Sequence, residues 1–296
     1  MQNNVIDNRI LKGQYFTTTN PFSGGAFSCW NGMRPRNVPV LEPFAGAGNL
    51  FNYLKEDWHG YDIEPQHPSI KQLDTLKEFP SGYEVVITNP PYLAKNSLRR
   101  RGGVVFFNHE DLYLDCLEVM LNNCPYVAAI IPSTFYGTKL FQDRLLCWDK
   151  LDYVLFNDTD CPVGVAYFIP DKCKTRLYVN GERITPHNLQ RNADVKLKFN
   201  VSDGNYVLTG IDTTKQENIK IEPVSDSFDR DKYLKHTSRN YVLFHSSKEL
   251  DCDIVNHKIS QWREQTKDFY LTSFKSAMKC GKYRKRISFT DLYYFV

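Results

Sequence analysis

The sequence predicts an α/β protein built on a mostly parallel sheet, followed by a smaller α+β region. Three observations carry this. Apolar strand-like runs alternate with helical patterns from Val38 to about Pro170, as they do when strands of one sheet are joined by crossover helices. Beyond Pro170 the alternation fades into short apolar stretches and polar loops. The charge divides at the same place. Residues 1–170 hold 14 Lys and Arg against 18 Asp and Glu, and residues 171–296 hold 23 against 16, so a net +3 conceals halves of −4 and +7.

The elements follow in order. VPVLEPF, HGYDI, YEVVITN and YVAAIIP are apolar runs of strand length, and helices are expected from Asn49 to Asp57, near Glu110–Asn123 and near Thr138–Trp148. Leu112, Cys116, Val119 and Met120 recur at helical spacing in the second helix, which marks a core-facing stripe. LDYVLFN and VGVAYFIP complete the alternation as strands, and RLYVNGERITP reads as a hairpin through Asn180-Gly181. A boundary near Pro170–Lys174 then gives domains of 1–170 and 171–296. Right-handed crossovers place the loops that follow the strands along one sheet edge, where ligands bind in such folds.

Composition excludes several classes. Hydrophobic residues make up 42% and charged residues 24%, which is globular usage. The apolar runs are too short to cross a bilayer, and the N-terminal residues lack the apolar core of a secretory signal. A soluble, cytoplasmic protein with no membrane contact is expected. Eight cysteines are scattered without a CxxC pair, and the seven histidines show no ligand spacing beside them, so neither a metal site nor a disulfide framework is expected.

The loops at the sheet edge carry the chemistry. VLEPFAGAGNL sets Gly46 and Gly48 between a strand and a helix, with Glu42 at the strand's end; small residues let a ligand approach the backbone. The turn lacks both the GxGxxG spacing and a Lys-Ser/Thr pair, which disfavours dinucleotides and nucleoside triphosphates. GYDIEP presents Asp62 one strand later, suited to the two hydroxyls of a ribose, and KQLDTLKEF offers Asp74 to an adenine amino group. Together they describe a cleft for an adenosine-containing cofactor. VVITNPPY then ends a buried strand on asparagine, two prolines and a tyrosine. Proline cannot donate to a ladder, so the sheet stops there and the polar groups are left for another purpose.

LEPFAGAG, GYDIEP, LDTL and above all NPPY resemble, in order and spacing, the motifs of S-adenosylmethionine-dependent amino-methyltransferases. LKGQYFTTTNPF at Leu11–Phe22 resembles the cofactor-contacting segment of the gamma-type adenine DNA methyltransferases, of the kind found in type II restriction–modification. The resemblance covers roughly residues 11–170. It implies a Rossmann-like class I methyltransferase fold with a seven-stranded sheet, and S-adenosyl-L-methionine as cofactor. Tyr15, Phe16, Thr17, Glu42, Phe44, Gly46, Gly48, Asp62, Ile63, Asp74 and Asn89 would hold it. The implied reaction is transfer of a methyl group to the N6 amino group of adenine in double-stranded DNA, after the base has been flipped out of the helix. Asn89 and Pro90 would accept hydrogen bonds from the amine, freeing its delocalised lone pair, and Tyr92 would offer a ring for stacking.

Phe156 is the candidate for the second stacking ring, although Cys161 stands just before Pro162 where an aromatic residue is expected. Lys95, Arg99, Arg100 and Arg101 follow NPPY directly and suit backbone phosphates. The last 26 residues hold six basic groups and one acid among six aromatic side chains, a composition suited to nucleic acid; residues 171–296 are expected to read the target. A cognate restriction endonuclease acting separately is a further expected partner. Methylation of cytosine N4, of an RNA adenine or of a protein glutamine, and a non-catalytic binding subunit, remain as alternatives.

Overall fold

One sheet takes strands from the whole first part of the chain. They are β1 (Val40–Glu42), β2 (Trp58–Asp62), β3 (Ile70–Gln72), β4 (Val85–Thr88), β5 (Tyr126–Pro132), β6 (Leu145–Lys150), β7 (Val163–Phe168), β8 (Arg176–Val179) and β9 (Glu182–Arg183). The computed structural model describes residues 15, 17–157, 159–186, 189–225, 228, 230 and 240–296. They divide into one unit running to Arg183 and a second from Ile184 onward.

The order across the sheet is β3-β2-β1-β4-β5-β7-β6-β8-β9. The first five strands in that order run parallel, and β7 is antiparallel to both β5 and β6. The expected mostly parallel α/β sheet is therefore present, and it is extended beyond seven strands by β8 and β9. Every residue of β4, β6 and β7 is buried, so these strands are continuous apolar runs without alternation. Chain order reverses between β1 and β4. A crevice opens at such a reversal, beyond the carboxyl ends of the two strands, and those ends are Glu42 and Thr88.

Several elements differ from expectation. Between β1 and β2 the helix expected from Asn49 to Asp57 is a single 3₁₀ turn, Asn49–Asn52. Phe51 stacks on Trp58 at 5.1 Å between ring centroids, so the chain folds back into β2 almost at once. The helix expected near Thr138–Trp148 is instead a short helix, Phe135–Thr138, followed by β6. Lys139 adopts φ 60° and ends that helix, and a strand buried on both faces has no period to distinguish it from a buried helix. LDYVLFN is not a sheet strand; Phe156 makes only an isolated bridge with Thr17.

Among the described residues, the other helices of the unit are α1 (Gly24–Asn31), α2 (Lys95–Arg100) and α3 (Leu112–Asn123); the Phe135–Thr138 turn is α4. The expected hairpin forms, with Asn180 at φ 51° and Gly181 at φ 77°, as a two-residue turn between antiparallel strands requires. β8 pairs in parallel with β6. The hairpin therefore belongs to the first unit, which ends past the boundary expected near Pro170–Lys174.

The second unit holds an antiparallel sheet in the order β10-β13-β11-β12, from Leu197–Phe199, Tyr241–Ser246, Tyr206–Thr209 and Lys220–Pro223. With it fold helix α5 (Cys252–Thr266) and the hairpin β14–β15 (Thr272–Ala277, Tyr283–Arg286). Asp251 caps α5 by accepting from the Ile254 amide at 3.0 Å. Its core gathers Tyr206, Phe244, Ile259, Trp262, Leu292 and Phe295. The terminal basic and aromatic stretch is thus not all surface: Tyr283, Lys285 and Phe295 are each at most 1% exposed. No helix among the described residues is long and apolar enough to cross a membrane.

Candidate active site

A cavity of about 630 Å³ occupies the crevice beyond β1 and β4, and its walls include Glu42, Gly46, Asp62, Asp74 and Asn89. That size falls within the range of small-molecule sites. Glu42 closes β1 and is 2% exposed. Its Oε1 accepts from the Phe44 amide at 3.1 Å and from the Thr88 hydroxyl at 2.5 Å. Burial pushes its carboxyl up to about 8 against these hydrogen bonds, and Asp62 adds to the rise. Burial thus disfavours the charged form of this acid, which stands on the cavity wall without a counter-charge among the described residues.

Gly46 lines the cavity and donates its amide to Asp62 Oδ2 at 2.8 Å. Asp62 Oδ1 accepts from the Glu64 amide, also at 2.8 Å. Asp62 thus ties the glycine turn to the end of β2, and each oxygen keeps one further lone pair for a ligand hydroxyl. Gly48 does not line the cavity. It stands at φ 75° with Phe51 3.0 Å from where a Cβ would sit, so its part is the turn. Phe44 and Ile63 are in the walls, with Ile63 52% exposed at the mouth. Asp74 is there too, paired with Lys77 at 2.9 Å.

Asn89 follows β4 directly. Its Nδ2 donates to the Tyr15 carbonyl at 2.8 Å and approaches Thr17 Oγ1 at 3.3 Å. A backbone carbonyl can only accept, so this contact fixes the amide orientation and turns Oδ1 toward Tyr92, whose hydroxyl lies at 2.6 Å. The same hydroxyl lies 2.8 Å from the Ile130 carbonyl, and burial holds it protonated, with its pKa well above the ordinary value. The hydroxyl has one hydrogen for these two acceptors, so at most one lone pair of Asn89 Oδ1 is engaged by it and at least one is left. The Pro90 carbonyl has no protein donor among the described residues.

Tyr15 and Thr17 both line the cavity. The Thr17 carbonyl accepts from Asn49 at 3.3 Å and from the Tyr53 hydroxyl at 3.1 Å, which ties this segment across the site. Phe16 and residues 11–14 of the quoted segment lie outside the described residues. Tyr15, Tyr92 and Phe156 form a triangle of rings with centroids 5.8, 5.9 and 6.1 Å apart. Tyr92 and Phe156 meet at 66°, whereas a flat ring held between two faces needs them parallel and about 7 Å apart. The two expected stacking rings are brought together, with Tyr15 against both.

The basic residues after NPPY divide. Lys95 is used internally: its ammonium bonds the Asn108 carbonyl and lies 6.0 Å above the Phe107 ring, so it is not the free phosphate contact expected of it. Arg99, Arg100 and Arg101 are exposed. Sequence reasoning missed much of the apolar lining of the cavity, including Leu50, Leu73, Leu76, Pro91, Phe106 and Leu112. Pro91 was legible as part of NPPY, and Leu112 as the first residue of the helical stripe that otherwise faces the core. No local signal marked Phe106.

Residues 46–158 match the family described as Eco57I restriction-modification methylase. Among solved structures, the chain is similar to a modification subunit of a putative type I restriction enzyme from Vibrio vulnificus, with 15% identity and a TM-score of 0.39, over 60% of this chain and 50% of that one. A type I restriction-modification methyltransferase subunit from Streptococcus thermophilus matches with 13% identity and a TM-score of 0.42, over 60% and 50%. The chain thus spans about half the length of these relatives. No curated protein matches it. From the glycine turn to the loop that carries Phe156, the chain is similar to the Eco57I restriction-modification methylases, and the resemblance read from its motifs is borne out.

Proposed function

We propose that the protein transfers a methyl group from S-adenosylmethionine to the N6 amino group of adenine in double-stranded DNA. The observation that carries this reading is the placement of Asn89 in the wall of the same cavity as Glu42, Asp62 and Asp74. The wall chemistry fits such a cofactor. Its acids suit hydroxyl, amino and cationic groups, and its apolar residues suit the faces of a purine. A polyphosphate would meet Glu42, Asp62, Glu64 and Asp74 with no phosphate-binding turn to hold it.

Bound there, the cofactor supplies an electrophilic methyl group. The protein's own part is to sharpen the incoming amine. The free lone pair of Asn89 Oδ1 and the Pro90 carbonyl accept its two N–H groups, drawing the nitrogen lone pair out of conjugation with the ring. The Tyr15 carbonyl and the Tyr92 hydroxyl hold Asn89 in that orientation beforehand, so little reorganisation remains at the moment of reaction. A neutral acceptor also avoids the cost of stripping water from a carboxylate. Entry of a flat base requires the Tyr92 and Phe156 rings to part and Tyr15 to yield, and stacking then offsets part of the cost of extruding the base.

Asn89→Ala should reduce methyl transfer from radiolabelled cofactor to plasmid DNA by about a hundred- to a thousandfold, the range for loss of one preorganised polar group, with a much smaller loss of cofactor affinity. Retention of most activity would overturn the mechanism. Base analysis of the methylated plasmid should find N6-methyladenine; N4-methylcytosine or unmodified DNA would overturn the substrate.

A further inference from the structure

The stretch between NPPY and α3 leaves the body of the unit as a closed excursion. Its base is pinned. The Lys95 amide donates to the Glu110 carbonyl at 2.9 Å, and Ala94 bridges Asp111. Asp115 accepts from the Asn108 and His109 amides at 2.7 and 2.9 Å, and Phe107 is 8% exposed beneath the Lys95 ammonium. Between these anchors α2 ends on Arg99 and Arg100. Gly102 then turns the chain at φ 73° with nothing within 4 Å of where a Cβ would sit, a backbone conformation that favours glycine. The returning limb carries two large apolar side chains in solvent, Val104 at 84% and Phe106 at 67% exposure. Phe106 reaches the wall of the cofactor cavity; Val104 does not.

An aromatic ring left in water at a cavity mouth is unfavourable until something apolar covers it. Ile63, 52% exposed, is the other apolar side chain in the same wall that stands largely in solvent. The two provide surfaces for a purine, whereas Arg99, Arg100 and Arg101 on the same excursion provide charge for a polyanion. We propose, resting on the function proposed above, that Phe106 is a cofactor-binding residue and that the excursion 96–107 couples cofactor occupancy to DNA binding. Seating Phe106 on the cofactor fixes the limb that follows the arginines, so they meet the phosphates already ordered. Because such coupling is reciprocal, DNA raises cofactor affinity by the same factor.

The test titrates the full chain with S-adenosylhomocysteine, and with a fluorescein-labelled duplex of mixed sequence in the presence and absence of that compound. For the unaltered protein, S-adenosylhomocysteine should tighten duplex binding about five- to tenfold, within the usual range of coupling between sites. Phe106→Ala should weaken S-adenosylhomocysteine binding about five- to fiftyfold, as expected for uncovering an aromatic contact, and should abolish the enhancement. Val104→Ala, on the same limb but off the cavity, should change neither. Replacing Arg99, Arg100 and Arg101 together by Ala should weaken duplex binding and lower its salt slope by about two to three, with unchanged S-adenosylhomocysteine affinity in the absence of DNA. Equal affinity of Phe106→Ala and the unaltered protein for S-adenosylhomocysteine, or an enhancement that survives in that variant, overturns the inference. Failure of the unaltered protein to bind S-adenosylhomocysteine at all would instead remove the proposed function.

Discussion

Two buried carboxylates, one in each unit, are treated by the fold in opposite ways. Asp212 is 0% exposed and receives the Arg263 guanidinium on both oxygens at 2.9 and 2.8 Å, with the Asn218 and Lys285 amides at 2.9 and 3.1 Å completing its shell. Arg263, 5% exposed, also bonds Asp268. Despite burial, which lowers it, the guanidinium pKa is raised by its bonds to the two aspartates. Glu42 is almost as buried, yet no ion pair reaches it among the described residues, and its carboxyl is pushed up to about 8. A carboxylate that must hold a fold is given its counter-charge. One that lines a cavity without a counter-charge is suited to a cation that arrives from outside.

The largest expected effect breaks the structural member of this pair. Asp212→Ala leaves Arg263 buried with half its hydrogen bonds to carboxylates, so urea denaturation should show a loss of about 3–5 kcal/mol. A loss no greater than that of Glu42→Gln would erase the contrast. Next in size, Glu42→Gln keeps a neutral side chain of the same shape. The fold should survive while S-adenosylmethionine affinity, measured calorimetrically, falls about tenfold or more, the equivalent of one pKa unit of lost cation contact. Unchanged affinity would take Glu42 out of the cofactor site.

A smaller signal sharpens the same point. A cation seated against Glu42 lowers its pKa, so cofactor binding near pH 7 should release up to about one proton per site. The apparent binding enthalpy would then vary with the ionisation enthalpy of the buffer, and the variation should vanish in Glu42→Gln. The same raised pKa also ties stability to pH. Glu42 moves from an ordinary 4.5 to about 8 on folding, so the unfolded chain binds fewer protons between those values. Its contribution is full below about pH 4.5 and is lost as pH rises through about 8. Asp149, raised by burial from 3.8 to about 7, acts in the same sense. The denaturation midpoint of the unaltered protein should therefore fall across this window more steeply than that of Glu42→Gln, and parallel curves would show that Glu42 is ionised in the fold.

Much of the site was legible because motifs at strand ends are local. Glu42, Gly46, Asp62, Asp74 and Asn89 each stand in a short stretch after an apolar run, and the reversal of strand order brings those stretches to one crevice. Side chains of one type could not be sorted in this way. Lys95 and Arg99 share helix α2 and a charge, but only Lys95 finds a carbonyl and a ring within its own fold. Of the terminal stretch read as a basic and aromatic face, Lys285 and Phe295 turned out to be interior. Sequence spacing cannot tell a cation that meets solvent from one enclosed by later packing.

The residues alone determined the strand edge, the glycine turn and the proline-stiffened acceptor loop. Each depends on interactions within a few positions, such as a missing amide hydrogen or a backbone angle that only glycine adopts easily. Tertiary structure decided which way Asn89 points, through the Tyr15 carbonyl and the Tyr92 hydroxyl. It also placed Phe106 and Leu112 in the cavity wall. Those outcomes depend on contacts between segments far apart in the chain, whose free energy is realised only once the sheet has assembled.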